Sequence, residues 1–423
     1  MGIRSVAIFT DADRHSLHVK KADEAYNIGP DSVAGYLNAH RIVNLAVATG
    51  CDALHPGYGF LSENPLIAEI CARRNIRFIG PNAEVIRRMG DKLEARRAMQ
   101  AANVPVVPGS VSNLSGLDEA LVLAEAFGYP VMLKATSGGG GRGIRRCNDA
   151  EALRRNYDRV LSEATKAFGS ADIFLEKCVD NPRHIEIQIL ADSHDNVIHL
   201  FERDCSIQRR HQKLVEETPS PFMTPELREA MGDAAVKAAL SIAYEGVGTV
   251  EFLVDKHRNF YFMEMNTRIQ VEHPITEEVI NYDLIREQIL VAAGVPISGK
   301  NYYPQLHAIE CRINAENPFM NFIPSPGKIT TLHTPGGHGI RVDSHVYSGY
   351  TIPPNYDSMV GKLITVAQTR EEAIAKMHRA LSEYVIEGVK TTIPFHLKLM
   401  QKKKKKKGNY TTKFLETWDF KNA

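Results

Sequence analysis

The segment at residues 263–274, MEMNTRIQVEHP, restricts the possible folds of this chain more than any other stretch. Polar side chains occupy every second position in it: Glu264, Asn266, Arg268, Gln270 and Glu272. Because successive side chains of a β-strand point to opposite faces, this spacing predicts an extended strand. One face would carry carboxylates, amides and a guanidinium, and the other would pack on a core. A strand whose polar face only meets solvent would show the same alternation.

A second strand precedes this segment and brings another carboxylate beside it. Residues 248–255, GTVEFLVD, are followed by a short DKHRN turn, which predicts an antiparallel hairpin with Glu251 and Glu264 on one face. Like charges opposed across paired strands are destabilising. Carboxylate and amide oxygens suit Mg2+ bridged to phosphates. We therefore predict that Glu251, Glu264 and Asn266 hold a metal ion.

Composition excludes several other classes of protein. A chain of 423 residues with 43% hydrophobic and 24% charged residues predicts two or three soluble domains. The net charge of +1 gives no reason to expect nucleic acid or a membrane as a partner. Six cysteines without a C-x-x-C pair suit a reducing cytoplasm. The lysine run at 402–407 predicts a solvated, mobile tail, with nucleic-acid or membrane contact as the alternative.

The pattern of elements divides the chain into three parts. Residues 1–90 alternate strands and helices, which predicts a parallel sheet with covering helices. Residues 91–300 hold the hairpin and a lid at about 105–179. Residues 301–423 form a smaller α+β domain with the Lys-rich tail, and Thr369 with Glu372 predicts a capping box at the start of a helix.

A glycine loop, SGGGGRG at residues 137–143, formally contains G-x-G-x-x-G. A strand-like IRRC follows it, whereas a dinucleotide-binding loop requires a helix at once. No lysine follows Gly143, which excludes a P-loop. The remaining interpretation is a glycine hairpin whose backbone N–H groups close over phosphates, with Lys134 and Arg142 as nearby cations. The alternative is a mobile loop without a ligand.

The lid, the hairpin carboxylates and Lys92 together resemble the ATP-grasp fold. Eight motifs in order narrow the match, and the chain resembles biotin carboxylase up to about residue 395. These motifs are HPGYGFLSEN (55–64), MGDK (89–92), SGGGGRG (137–143), EKCVDNPRHIEIQ (176–188), RDCSIQRRHQK (203–213), MEMNTRIQVEHP (263–274), NFIPSPGKI (321–329) and YDSMVGKLI (356–364). The resemblance implies a mixed α/β and α+β chain with an N-terminal parallel-sheet domain, a mobile lid and a C-terminal α+β domain.

The resemblance also implies roles for individual residues. ATP, with Mg2+ or alternatively Mn2+, would be bound by Lys92, Lys134, Gly140, Gly141, Glu176, Lys177, Val179, His184, Gln208, His211, Glu251 and Glu264. Bicarbonate and biotin would be bound by Lys213, Arg268, Gln270, Val271, Arg341 and Tyr58. The implied catalytic residues are Arg268, Glu272, Lys213 and Arg341, with Glu272 as the base and Arg341 stabilising the biotin enolate.

The implied reaction is carboxylation of biotin by ATP and bicarbonate through carboxyphosphate. No (A/V)-M-K-M attachment motif occurs, so the biotin would come on a carrier protein or on a missing portion of the chain. The expected partners are that carrier, carboxyltransferase subunits and a second copy in a homodimer, within an acetyl-CoA carboxylase. The alternatives are a module of a pyruvate, propionyl-CoA or other acyl-CoA carboxylase, an inactive ATP-binding remnant, and a carbamoyl-phosphate-forming ligase.

The chain departs from the family pattern at its start. Members of the family begin with a strand, an NRGEIA-type turn and a helix, and this unit has no counterpart in this sequence. We therefore expect the N-terminal sheet to lack its first, central strand and to have two edges in its place.

Overall fold

We describe residues 1–30, 32–136, 143–297 and 302–420 of a computed structural model. The N-terminal part has two parallel strand pairs, β1 with β2 and β3 with β4, which do not join into one sheet. The predicted parallel alternation is confirmed, and the sheet is in two pieces. The elements are β1 (Val6–Phe9), α1 (Leu17–Lys21), β2 (Glu24–Asn27), α2 (Ala39–Ala48), β3 (Ala53–Leu54), α3 (Pro65–Arg73), β4 (Arg77–Phe78) and α4 (Ala83–Gly90).

The central part is mixed. A three-stranded sheet in the order β6–β5–β7 packs against helices α6 and α7 in the part that the sequence predicts to be the lid. Helix α7 is capped by Asp149, whose side chain accepts from the Ala152 N–H at 2.7 Å. The elements are α5 (Lys92–Ala101), α6 (Leu117–Phe127), β5 (Val131–Ala135), β6 (Ile144–Cys147), α7 (Ala150–Phe168), β7 (Ile173–Lys177), β8 (Arg183–Ala191), β9 (Val197–Arg209), β10 (Gln212–Thr218), α8 (Pro225–Ser241), β11 (Gly246–Val254), β12 (Phe260–Asn266), α9 (His273–Ile280) and α10 (Leu284–Ala292).

The C-terminal part is α+β, and its helix α11 has the expected Thr369–Glu372 capping box. Among the helices described, none combines the length and apolar character that crossing a membrane requires. The elements are β13 (His307–Asn314), β14 (Glu316–Asn317), β15 (Ile323–Pro324), β16 (Gly327–Lys328), β17 (Thr331–His333), β18 (Ile340–Ser344), β19 (Thr351–Ile352), β20 (Met359–Ala367), α11 (Arg370–Glu383), β21 (Val385–Glu387), α12 (Ile393–Gln401) and α13 (Lys403–Lys406).

One antiparallel sheet of eight strands crosses from the central to the C-terminal part, in the order β12–β11–β8–β9–β10–β13–β20–β18. The pairing of β10 with β13 joins the two parts, with Glu216 opposite Glu310. In the hairpin of β11 and β12, Glu251 and Glu264 are paired as predicted. The sheet therefore places charged residues from distant stretches of sequence side by side.

Two expectations about local structure are wrong. The alternating segment at 263–274 is a strand only as far as Asn266, and the chain then loops into α9, where Glu272 is the N-cap and Pro274 lies in the first turn. The lysine run is not a wholly solvated tail. It contains α13, and the Lys405 side chain is fully buried in an ion pair with Glu217.

Candidate active site

A cavity of about 1550 Å³ lies between the lid, the large sheet and the C-terminal part. Most of the residues implicated by the sequence line it: Tyr58, Lys92, Lys134, Glu176, Lys177, Val179, His184, Gln208, His211, Lys213, Glu251, Glu264, Asn266, Arg268, Gln270, Val271 and Glu272. Arg341 is among the described residues but does not line this cavity. Gly140 and Gly141 lie outside the described residues.

Lys213 is the cation at the centre of the site. Its ammonium donates to Glu186 at 2.6 Å, to Glu251 at 2.9 Å and to Glu272 at 2.6 Å. Burial alone would lower the pKa of Lys213, but these carboxylates outweigh burial and raise the pKa well above its ordinary value. Lys213 therefore stays protonated, and its positive charge is shared among three carboxylates.

Glu272 lies between two cations. One carboxylate oxygen accepts from Lys213, and the other accepts from the Arg312 guanidinium at 2.9 Å. Burial favours the protonated form, but Lys213, Arg312 and Arg203 outweigh it and hold the pKa of Glu272 well below its usual range. Glu272 is consequently ionised at neutral pH.

Arg203 on β9 organises the floor of the site. Its side chain is fully buried and donates to Glu186 and Gln188, both at 2.5 Å, and to Gln270 at 2.8 Å. Gln270 in turn donates to Glu251 at 2.7 Å. The sequence motifs predict no role for Arg203, Glu186 or Gln188, although HIEIQIL carries the same strand alternation that identified the hairpin.

The hairpin carboxylates fit a divalent cation. Asn266 donates to Glu251 at 2.9 Å, and Glu264 lies opposite Glu251 in the strand pairing. Burial, and then the charge of Glu251, raise the pKa of Glu264. This mutual repulsion is what a bound Mg2+ would relieve, and the donor atoms are hard oxygens. One ring nitrogen of His184 lies 2.9 Å from a Glu251 oxygen, and the other lies 2.7 Å from the Gln208 amide.

The lid side of the cavity carries the lysines that the sequence predicts to bind phosphates. Glu176 forms ion pairs with Lys134 and, at 2.9 Å, with Arg96. Lys177 donates to the backbone carbonyls of Gly128 at 2.6 Å and Tyr129 at 3.2 Å. Burial lowers the pKa of Lys92 despite the opposing charge of Glu264. Desolvated cations of this kind attract a polyanionic ligand strongly.

Arg268 lies in the loop that follows β12, and its side chain is partly buried. Its guanidinium donates to Glu63 at 2.9 Å and to the Asn266 side-chain oxygen at 3.0 Å. The backbone carbonyl of Val271 accepts a hydrogen bond from the Lys362 ammonium at 2.8 Å. Both residues border the same cavity as Lys213 and Glu272.

Two arginines are candidates for stabilising the biotin enolate, the role that the family resemblance implies for Arg341. The Arg341 guanidinium is occupied by Asp343 at 2.9 Å and by Glu277 at 2.8 Å. Arg312 on β13 instead lines the cavity and contacts Glu272 directly. Tyr58, which is 42% exposed, lines the same cavity. In the ECRIN segment, residues 310–314, polar side chains occupy every second position as they do in the hairpin. This alternation is the sequence signal that could have identified Arg312 as a site residue.

The fold, the cavity and the matches to family profiles identify the class of protein to which the chain belongs. Family profiles match "Biotin carboxylase, N-terminal domain" at residues 1–86, "Carbamoyl-phosphate synthase L chain, ATP binding domain" at 91–300 and "Biotin carboxylase C-terminal domain" at 310–417. The chain therefore has the ATP-grasp fold of ATP-dependent ligases.

Individual relatives narrow the class to one family. "Biotin carboxylase 1" of Bacillus subtilis is 55% identical over 99% of this chain and 94% of its own length, and a pyruvate carboxylase subunit of Methanothermobacter thermautotrophicus is 53% identical over 99% and 86%. A similar solved structure is the crystal structure of the biotin carboxylase domain dimer of Hydrogenobacter thermophilus 2-oxoglutarate carboxylase, with MgADP, ADP and bicarbonate. Its sequence is 51% identical to this chain, and the match covers 98% of this chain and 92% of that one with a TM-score of 0.95. The chain belongs to the biotin carboxylase family, whose members use ATP, Mg2+ and biotin.

Proposed function

We propose that this enzyme carboxylates carrier-bound biotin by way of carboxyphosphate, with Glu272 as the base that deprotonates bicarbonate. The observation that carries the proposal is the ionised Glu272 between Lys213 and Arg312 in the main cavity. A general base must be ionised and within reach of its proton before reaction.

Bicarbonate would bind beside Glu272, on Arg268, Gln270, Val271 and Lys213. A planar guanidinium suits a planar carboxylate-like anion, and the Lys213 ammonium adds a point charge. The anion would compete with Glu272 for Lys213 and would add negative charge beside it. Both effects raise the pKa of Glu272 toward a value useful for proton transfer.

ATP would span the lid side of the same cavity. Lys92 and Lys134 would neutralise phosphate charge. Glu176, Lys177 and Val179 would lie at the adenine end, and His184, Gln208 and His211 would border the ribose and phosphates. Glu251, Glu264 and Asn266 would hold Mg2+, which supplies charge stabilisation to the transferring phosphoryl group.

Biotin would enter on the side of Tyr58. Arg312, rather than Arg341, would stabilise the enolate oxygen of the biotin ureido group. Arg312 lies 2.9 Å from Glu272, whereas Arg341 is held by Asp343 and Glu277 away from the cavity lining. The Tyr58 ring would pack against biotin.

The physiological setting that we propose is acetyl-CoA carboxylase in cytoplasmic fatty acid synthesis. The partners would be a biotin carboxyl carrier protein, carboxyltransferase subunits and a second copy of the chain. The names of relatives also include pyruvate and 2-oxoglutarate carboxylases, which makes these acceptors the competing proposal. Affinity capture of the enzyme from its native cells, followed by identification of the co-purified carboxyltransferase, distinguishes them.

The test of the reaction is phosphate release measured with each substrate omitted in turn. We expect ATP hydrolysis that requires Mg2+ and bicarbonate and rises when free biotin is added. Phosphate release that ignores bicarbonate would refute the proposal. A requirement for ammonia in place of biotin would indicate a carbamoyl-phosphate-forming ligase, and no turnover at all would indicate an ATP-binding remnant.

A further inference from the structure

A buried ionic cluster surrounds Glu217, outside the chemistry proposed above. Glu217 lies on β10, four residues after Lys213, and is 1% exposed. Its carboxylate accepts hydrogen bonds from four side chains: Lys405 at 2.6 Å, Arg370 at 2.7 Å, His307 at 3.1 Å, and the Tyr410 hydroxyl. Burial opposes ionisation, but Lys405, His307 and Arg370 hold the pKa of Glu217 well below its usual range.

Lys405 differs from three other lysines of its run. Lys403, Lys406 and Lys407 are exposed, whereas Lys405 is fully buried. Burying an ammonium is costly unless a carboxylate compensates it. The Arg370 guanidinium also donates to the backbone carbonyls of Lys405 and Lys406, both at 2.7 Å. The Glu217 cluster therefore fixes α13 in one position on the sheet.

The chain that follows α13 runs from this cluster to the cavity. It turns at Gly408, whose φ of +67° is in the left-handed region and whose carbonyl accepts from Arg183 at 2.7 Å. Tyr410 returns to Glu217, and the Thr412 N–H donates to the Pro182 carbonyl at 3.0 Å. Thr412 and Lys413 then line the cavity.

We propose that Glu217 and Lys405 are positioning residues that hold residues 410–416 as one wall of the nucleotide end of the cavity. Val179 and Pro182 line that end as well, so the wall faces the hinge to which we assign adenine. The inference rests on that proposed placement of ATP. One strand, β10, presents Lys213 to the reaction at one end and fixes this wall through Glu217 at the other.

Lys405→Met tests the proposal, with Lys407→Met as the matched control in the same run. We expect the KM for MgATP to rise about tenfold in Lys405→Met, because breaking a buried ion pair loosens the elements that it joins. The kcat and the KM for bicarbonate should stay within about twofold, since the catalytic groups are untouched. Lys407→Met should match the parent. A lower melting temperature with an unchanged KM for MgATP would overturn the proposal and leave a purely structural role.

Hydrogen exchange gives a readout that does not depend on turnover. MgADP should slow exchange at residues 410–416 of the parent, and absence of this protection would overturn the proposal. If Lys405→Met does not fold, Tyr410→Phe removes one contact to Glu217 and should raise the Kd for MgADP by about threefold. An unchanged Kd there would count against the proposal. A parent that binds MgADP with this protection but hydrolyses no ATP would refute the proposed function alone.

Discussion

Replacing Glu272 by glutamine should remove most turnover and leave nucleotide binding intact. Glutamine keeps the shape of the side chain but cannot act as the base. Loss of a general base typically lowers a rate by about 10²- to 10⁴-fold. Contacts proposed for ATP lie on other side chains, so the Kd for MgADP should stay within about threefold of the parent.

The cost in stability can be worked out from the contacts of Glu272. Two charge-assisted hydrogen bonds are affected, to Lys213 at 2.6 Å and to Arg312 at 2.9 Å. Lys213 keeps two other carboxylates and Arg312 keeps Glu216, so neither cation is left unpaired. The glutamine oxygen can retain one of the two bonds. We expect the free energy of unfolding to fall by about 2 kcal/mol, the value of one charge-assisted hydrogen bond.

This loss should depend on pH in a definite direction. A carboxyl whose pKa is depressed by folding stabilises the protein above its unfolded pKa, and the contribution disappears as the pH falls through the folded value. Glu272 is such a group. The difference in stability between parent and Glu272→Gln should therefore be largest near neutral pH and shrink below about pH 4.5, the ordinary value for the side chain.

The assays are bicarbonate-dependent phosphate release, MgADP calorimetry and urea unfolding at neutral and acidic pH. Glu383→Gln is the control, because Glu383 forms an exposed ion pair with Arg379 on α11 and should change none of these quantities. Turnover of Glu272→Gln within a few-fold of the parent would show that another group accepts the proton.

Three further outcomes follow from the site. Glu264→Gln should raise the Mg2+ concentration needed for half-maximal activity about tenfold, because one hard oxygen ligand is lost; an unchanged metal titration would remove Glu264 from the metal site. Arg312→Lys should raise the KM for biotin at least about tenfold while Arg341→Lys leaves it nearly unchanged, and the reverse order in biotin kinetics would return the role to Arg341. Hydrogen exchange in strands 131–135 and 144–147 should slow when a non-hydrolysable ATP analogue binds, and equal exchange in both states would contradict closure of the lid.

The hairpin shows what local sequence can determine. Glu251 and Glu264 face each other as predicted, because a short turn and a period of two define the register of adjacent strands. The same period of two wrongly predicted a strand beyond Asn266, because side chains can alternate along an extended loop as they do along a strand. Partnering strands, which the sequence does not name, decide where a strand ends.

The N-terminal part and the capping box follow the same rule. Parallel pairing of β1 with β2 and of β3 with β4 agrees with the alternation of strand and helix patterns, and the Thr369 cap depends on Glu372 only three residues away. Motif matches went further than periodicity did. Most of the residues that the motifs implicated line one cavity, although the motifs carry no information on which strands are neighbours.

By itself, then, the sequence determined the family, the strand pairing of the β11–β12 hairpin and the elements that depend on neighbouring residues. Only the tertiary structure showed that Arg312 meets Glu272 across 40 residues and that Lys405 meets Glu217 across 188. Both contacts arise because β10 pairs with β13 and because α13 packs back on the sheet. An exposed and a buried lysine look alike in a run of six, and burial is decided by what the folded chain brings to each one.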